Sequence, residues 1–267
     1  HMSFFYDLKV EGHEDKRYAK FMNSFLGRMS KEQRAAWDSA YGPKNEAFRK
    51  SNLQGKDLVR WKYQRYVKDY LRCVAAVDDG VGRILESLDK LGLSENSIVI
   101  YSSDQGFYLG EHGWYDKRWI YEESLKMPLV MRWPGKIKPG TKIKKLTQNI
   151  DFAPFFLEAA GAEIPEEIQG LSLTPLFEKP NAKWRKAIYY HYYEAGGHGV
   201  PAHYGIRDER YKLMHFPRTD EWNLVDLKKD PLEMQSVHDK PAYKKTLADM
   251  RAKLSGLQNK YGVVTSN

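Results

Sequence analysis

Between residues 56 and 91, apolar side chains recur at three- and four-residue steps: Leu58, Trp61, Val67, Leu71, Val74, Val77, Val81, Ile84, Leu85 and Leu88. That spacing lines them along one face of an α-helix, and Gly92 ends the run as a left-handed cap would. Leu93-Ser94-Glu95-Asn96 then turns into an apolar strand at 97–102. Helix, loop and strand in this order predict part of an α/β layer structure. Upstream, residues 3 to about 52 are rich in charge and aromatic rings. There Ser30, with Gln33 three residues on, fits a capping box and predicts a short helix through Trp37. Cys73 falls inside the long helical pattern, which predicts a buried structural thiol.

Further along, Pro128 to Trp133 is a second candidate strand, closed by Pro134-Gly135. Residues 146 to 161 read as a strand end plus a helix, with Asp151 near the N-terminus, Pro154 in the first turn and Gly161 past the C-terminus. Composition shifts near Leu176. Beyond it, Ala187 to Tyr193, Ala202 to Phe216 and Trp222 to Asp226 read as antiparallel strands. A last helix over about 241–259 carries Leu247, Met250, Leu254 and Leu257. The expected organisation is an α/β domain over 3–177 and a smaller α+β subdomain over 178–267.

Composition narrows the function. With 42% hydrophobic and 13% aromatic residues among 267, a packed core is expected and global disorder is not. No run approaches the roughly 18 apolar residues of a membrane span. The net charge of +8 comes from Lys and Arg spread along the chain among acids. That pattern fits an anionic small substrate better than nucleic acid. The lone cysteine rules out an intramolecular disulfide. The opening His1-Met2-Ser3 reads as an expression remnant ahead of an internal cut, so the lack of a leader here says nothing about location.

One loop concentrates chemistry. Residues 102–118, S-S-D-Q-G-F-Y-L-G-E-H-G-W-Y-D-K-R, follow the apolar strand directly. Ligand sites in open α/β sheets lie at the carboxyl ends of strands, where Asp104 and Gln105 stand. A carboxylate beside an amide oxygen is a pair of hard donors suited to Ca²⁺ or Mg²⁺. The same residues also serve a simple turn, with Asp104 as cap and Gly106 as the permissive position. Lys117 would reach an anion if the loop folds back; otherwise it is a solvated lysine. Asp116 and Arg118 would bond sugar hydroxyls or pair with each other. His112 is a proton donor or a brace for the loop.

Taken in order, these segments resemble a family. Tyr101-Ser102-Ser103-Asp104-Gln105-Gly106, Leu109-Gly110-Glu111-His112-Gly113 and Lys117 are similar to the formylglycine-dependent type I sulfatases of the alkaline phosphatase-like superfamily. So are Pro128-Leu129-Val130, Trp133-Pro134-Gly135, Asn149-Ile150-Asp151-Phe152-Ala153-Pro154, Gly170-Leu171-Ser172-Leu173, Tyr211-Lys212-Leu213 and Leu224-Val225-Asp226-Leu227. Asp116-Lys117-Arg118 and the later His-bearing loop look most like sulfatases acting on N-acetylglucosamine 6-sulfate. The resemblance implies an alkaline phosphatase-like α/β sandwich and a sulfated-carbohydrate substrate. Asp104 and Gln105 would be two of four protein ligands to Ca²⁺, and Lys117 would hold a sulfate oxygen. Asp116, Arg118 and His198 or His203 would read the sugar, with His112 in a supporting place. A periplasmic or extracellular location is implied in the same way.

The departures are equally specific. The family nucleophile is a formylglycine made from Cys within Cys-x-Pro/Ala-x-Arg, whereas Cys73 stands in Leu71-Arg72-Cys73-Val74-Ala75. The paired Asp residues that complete the metal site have no counterpart, and Asp78-Asp79 lies inside the helical pattern. The chain therefore reads as the C-terminal part of a sulfatase, inactive alone and prone to self-association through uncovered sheet edges. Two other readings compete. A two-metal phosphodiesterase or phosphomutase-like enzyme is disfavoured by the single Asp-Gln pair. A non-enzymatic module for sulfated glycans suits the positive charge and the aromatic-rich subdomain.

Overall fold

A computed structural model describes residues 3, 8–9, 16–179, 182–194 and 197–263. Three helices come first: α1 (Lys16–Leu26), α2 (Lys31–Ser51) and α3 (Gly55–Lys90). Strands β1 (Val99–Ser102), β2 (Tyr108–Leu109) and β3 (Tyr115–Asp116) follow, then the single turn α4 (Glu122–Leu125) and strand β4 (Leu129–Arg132). After α5 (Phe152–Ala159) and α6 (Thr174–Glu178) come β5 (Ala187–Tyr192), β6 (His203–Asp208), β7 (Tyr211–Phe216), β8 (Glu221–Asp226) and the last helix, α7 (Lys244–Lys260). Among the described residues, no helix is long and apolar enough to cross a membrane.

The chain gathers into two compact units. One holds the described residues up to Ser87 together with Tyr108–Asp116; the other holds Leu88–Phe107 and the described residues from Lys117 on. This division falls elsewhere than the 177/178 boundary that composition suggested.

In the first unit the Ser30 capping box forms as expected: Gln33 N–H donates to Ser30 Oγ at 3.2 Å, and Ser30 N–H donates back to Gln33 Oε1 at 2.9 Å. The helix does not stop near Trp37. It continues through Pro43 to Ser51. A proline inside a helix removes one ladder bond, and here, past Pro43, Phe48 stacks on Trp61 at 3.8 Å. Phe48 and Leu8 are buried against Leu58, Val59, Tyr66 and Tyr115. The helical stripe is only half covered, because Leu71, Val74, Val77 and Ile84 lie exposed along α3. Cys73 is exposed too, which corrects the expectation of a buried thiol. Periodicity marks a face but not whether that face has a neighbour.

In the second unit β1 pairs with β4 antiparallel, Ile100 opposite Met131, not within a parallel sheet. Ile100, Leu129 and Met131 pack on Phe155, Leu173 and Leu176 from α5, α6 and the segment between them, while Val130 on the opposite side is 64% exposed. Helix α5 is seated by Asp151, a fully buried carboxylate. It accepts the N–H groups of Gln148 at 2.8 Å and Leu171 at 2.9 Å and is gripped by both terminal nitrogens of Arg185. No strand forms at 146–148.

Strands β5 to β8 make a meander in chain order, each antiparallel to the last. Alternation sends Ile206, Leu213 and Leu224 to one face, under Met250 and Leu254 of α7. Burying such a side chain contributes roughly 1.5–3 kcal/mol. Met214, Phe216 and Val225 face the other way and pack on Ile120. Gly205 makes that contact possible: a Cβ there would lie 2.8 Å from the Ile120 side chain and 2.3 Å from the Leu213 carbonyl oxygen.

Candidate active site

The end of β1 and the segment after Lys117 meet in the second unit. Gly106 N–H donates to the Ser124 carbonyl at 2.8 Å. A Cβ on Gly106 would sit 1.9 Å from the Glu123 carbonyl oxygen, so only glycine allows this approach. The contact places Asp104 and Gln105 beside Arg118 on the wall of a cavity of about 340 Å³, which Ser124, Asn149, Tyr190 and Tyr192 also line. Asn149 Nδ2 donates to the Asp104 carbonyl at 2.6 Å.

Arg118 is held by its backbone. Its N–H donates to Ser124 Oγ at 3.1 Å, and its carbonyl accepts the Tyr190 hydroxyl. Its φ is 101° and that of Asp116 is 78°. Left-handed backbone costs a residue bearing a Cβ about 1–3 kcal/mol and concentrates at functional sites. Lys117, between these two, is partly buried. Among the described residues, none bonds to its ammonium. It does not line the cavity.

Tyr190 and Tyr192 both have hydroxyls pushed up to about 12. For Tyr190 burial dominates; for Tyr192 burial is joined by a hydrogen bond to Glu194, with Arg118 opposing. Both stay protonated at neutral pH and act as donors. Tyr192 Oη donates to Glu194 at 2.6 Å, and His198 Nδ1 lies 3.2 Å from the same carboxylate. His198 is exposed, in left-handed backbone at φ 60°. Glu194 and Tyr192 link it towards Arg118.

His203 is not at the surface. Its side chain is fully buried, and Nδ1–H donates to the Pro201 carbonyl at 2.9 Å. The rings of Tyr190 and Tyr192 each lie 5.6 Å away, with Trp119 and Phe216 completing the surround. Burial lowers its pKa, so the imidazole is neutral. It would reach a ligand only through the tyrosines, which differs from direct contact with a sugar. In the first unit, His112 occupies a tight turn at φ 56° and stacks on Trp114 at 5.2 Å. That geometry suits a loop brace. Asp116, in the same unit, has its backbone bonded to the Tyr66 hydroxyl, whose ionisation burial opposes.

Asp104 and Gln105 offer oxygen only, which suits calcium. No group of three or more His, Cys, Asp or Glu side chains able to hold a metal occurs among the described residues. The pair fits two positions of a calcium shell and does not enclose an ion. Cys73, exposed on α3 in a sequence unlike the formylglycine motif, does not fit the family nucleophile.

Comparison with known proteins places this chain in a class. The sulfatase profile matches residues 9–162, and the profile described as N-sulphoglucosamine sulphohydrolase, C-terminal, matches residues 110–260. The chain belongs to the sulfatase family, with its alkaline phosphatase-like fold. It is 46% identical over 263 residues to an N-acetylglucosamine-6-O-sulfatase of Bacteroides thetaiotaomicron, covering 96% of this chain and 47% of that protein. An arylsulfatase of Clostridium perfringens is 30% identical, over 68% of this chain and 38% of its own length. A solved structure of a protein in complex with its substrate D-glucosamine-2-N,6-O-disulfate superposes with a TM-score of 0.90 at 43% identity, covering 98% of this chain and 56% of that one. The chain thus spans about half the length of the relatives it matches.

The sequence reading missed Ser124, Tyr190 and Asn149. Only Asn149 had a local signal, in Asn149-Ile150-Asp151. The other two act on the backbone of Arg118 from elsewhere in the chain.

Proposed function

We propose that this chain is one part of a calcium-dependent sulfatase that removes the 6-O-sulfate from N-acetylglucosamine or a closely related glucosamine, in the periplasm or outside the cell. The observation that carries the reading is the juxtaposition of Asp104, Gln105 and Arg118 on one cavity, in a chain 46% identical to an N-acetylglucosamine-6-O-sulfatase.

Asp104 and Gln105 would hold Ca²⁺ through oxygen, and the ion would supply positive charge where sulfate binds. Lys117 meets a sulfate oxygen and stabilises charge as the S–O bond breaks. Arg118 and Asp116 bond sugar hydroxyls, with His198 backing Arg118 through Glu194 and Tyr192. His203 supports Tyr190 and Tyr192 from beneath, and His112 braces its loop. The formylglycine and the remaining metal ligands belong to a part of the enzyme not among these 267 residues. The chain alone does not turn over sulfate esters, because members of a catalytic unit are grossly non-additive. The exposed faces of β4 and α3 drive self-association until that part covers them.

The test is hydrolysis of 6-sulfated N-acetylglucosamine and of an aryl sulfate, by this chain and by the complete enzyme, with and without chelator. Turnover by the complete enzyme alone, lost on chelation, supports the reading. Turnover by the isolated chain refutes its inactivity. Retention on immobilised heparin, with no turnover by either protein and no metal dependence, favours a glycan-binding module.

A further inference from the structure

Four charged side chains lie together beneath the segment that carries Lys117 and Arg118. Glu122 opens α4, four residues past Arg118. Its carboxylate accepts Arg207 Nε at 3.2 Å and Nη2 at 3.1 Å, and the Lys212 ammonium lies 3.0 Å away. Lys212 is fully buried and also sits 2.7 Å from Glu233 Oε1. Glu233 returns to the segment itself, since its Oε2 accepts the backbone N–H of Glu122 at 2.6 Å. Glu233 occupies the left-handed region at φ 53°. Two carboxylates and two cations thus tie one helical turn to strands β6 and β7, by side chain and by main chain at once.

Stability alone does not account for the arrangement. Buried ion clusters often contribute no more than a well-packed apolar group of similar volume. What they provide is direction, because each bond has a preferred geometry. The turn so fixed supplies Ser124, which receives the Arg118 N–H from one side while Tyr190 reaches the Arg118 carbonyl from the other. Left-handed backbone at Arg118 persists only where its surroundings over-determine it.

We propose that Glu122, Arg207, Lys212 and Glu233 form a buried brace that holds Arg118 in its left-handed conformation facing the cavity, making all four positioning residues for sulfate-ester hydrolysis. The proposal rests on the reading above that Lys117 and Arg118 address the substrate. None of the four touches that substrate; they act through the backbone they fix. The brace predicts that its damage is read in turnover before it is read in folding.

The experiment compares Glu233→Leu with Glu233→Gln, which keeps an acceptor for the Glu122 N–H, and with Tyr190→Phe, which removes only the hydroxyl on the Arg118 carbonyl. In the complete enzyme, Glu233→Leu and Tyr190→Phe are expected to lower kcat about 10- to 100-fold, the scale of a small misplacement at a reacting centre. KM should change less than about threefold, and Glu233→Gln should recover most of the rate. Hydrogen exchange of the peptide spanning residues 117–121 is followed in parallel and should accelerate about tenfold or more in Glu233→Leu, without faster exchange in α7. Unchanged kcat in both Glu233→Leu and Tyr190→Phe, or unchanged exchange at 117–121, overturns the brace. So does a rate loss that matches a loss of folded protein in every variant. No turnover by the unaltered complete enzyme overturns the sulfatase reading and the brace with it, whereas turnover unaffected by the variants overturns the brace alone.

Discussion

The amide of Gly106 and the carbonyl of Ser124 are 2.8 Å apart, and this single bond seats the end of β1 against the segment that presents Arg118. A methyl group on Gly106 would press on the Glu123 and Lys126 carbonyl oxygens, 1.9 and 2.5 Å from its position. Both are backbone atoms with little room to move. Gly106→Ala is expected to destabilise the second unit by about 3 kcal/mol, the upper range for overpacking. Denaturant unfolding followed by tryptophan fluorescence reads this directly; an unchanged midpoint would refute the close approach.

Lys117 bears on chemistry rather than folding. Lys117→Ala in the complete enzyme should lower kcat about 10²–10³-fold, as for loss of a group that stabilises developing charge, with the thermal midpoint unmoved. Lys117→Arg should not restore the rate, because a planar fork is not a substitute for a compact ammonium. Rates within a factor of three of the parent would remove Lys117 from the mechanism.

Acid should loosen the C-terminal sheet. Burial opposes ionisation of Glu122, but Arg207 and Lys212 outweigh it and hold the carboxyl near 2, down from 4.5. Asp226 is lowered by its bond to Arg210, and Asp208 is lowered by Lys253 and two backbone amides acting against burial. A depressed carboxyl stabilises the fold above its unfolded pKa, and that stability drains as pH falls through the folded value. Glu233, raised by burial, has the opposite sign, since its protonation relieves the fold on acidification. Glu122, whose shift is large, sets the window, and stability should fall between about pH 4.5 and 2, measurable by urea midpoints across that range. Glu122→Gln should flatten the slope, and a slope equal to the parent's would contradict the assignment.

Self-association should follow the exposed face of the β1–β4 pair. Val130, 64% exposed at the middle of β4, is the position to change. Val130→Lys adds charge to the exposed face of this two-stranded pair and should reduce the mass seen by light scattering at equal concentration. A parent that is already monomeric would refute the association.

Much of this fold was legible in the chain. The Ser30 box, the long helix ended by Gly92 and the strands β1, β5 and β8 follow from local spacing and caps, which act over three or four residues, whereas the single stretch Ala202 to Phe216 divides into β6 and β7. What was not legible depends on partners far away. Pro43 signals a break locally, yet α2 runs through it. Cys73 sits in an apolar pattern, yet that stretch of α3 lacks a covering neighbour among the described residues. His203 carries the same imidazole whether it faces a sugar or, as here, lies sealed beneath Tyr190 and Tyr192. Glu122 and Glu233 are 111 residues apart, and no periodicity joins them.

The chain-order meander of β5 to β8 has a kinetic consequence. Each strand pairs with the one just before it, so forming the sheet closes only short loops, and contacts close in sequence form fastest. By contrast, β1 waits for β4 across the whole intervening loop with its charged residues. This topology favours early assembly of the C-terminal sheet, which then offers a surface for the segment from Lys117 to Leu125.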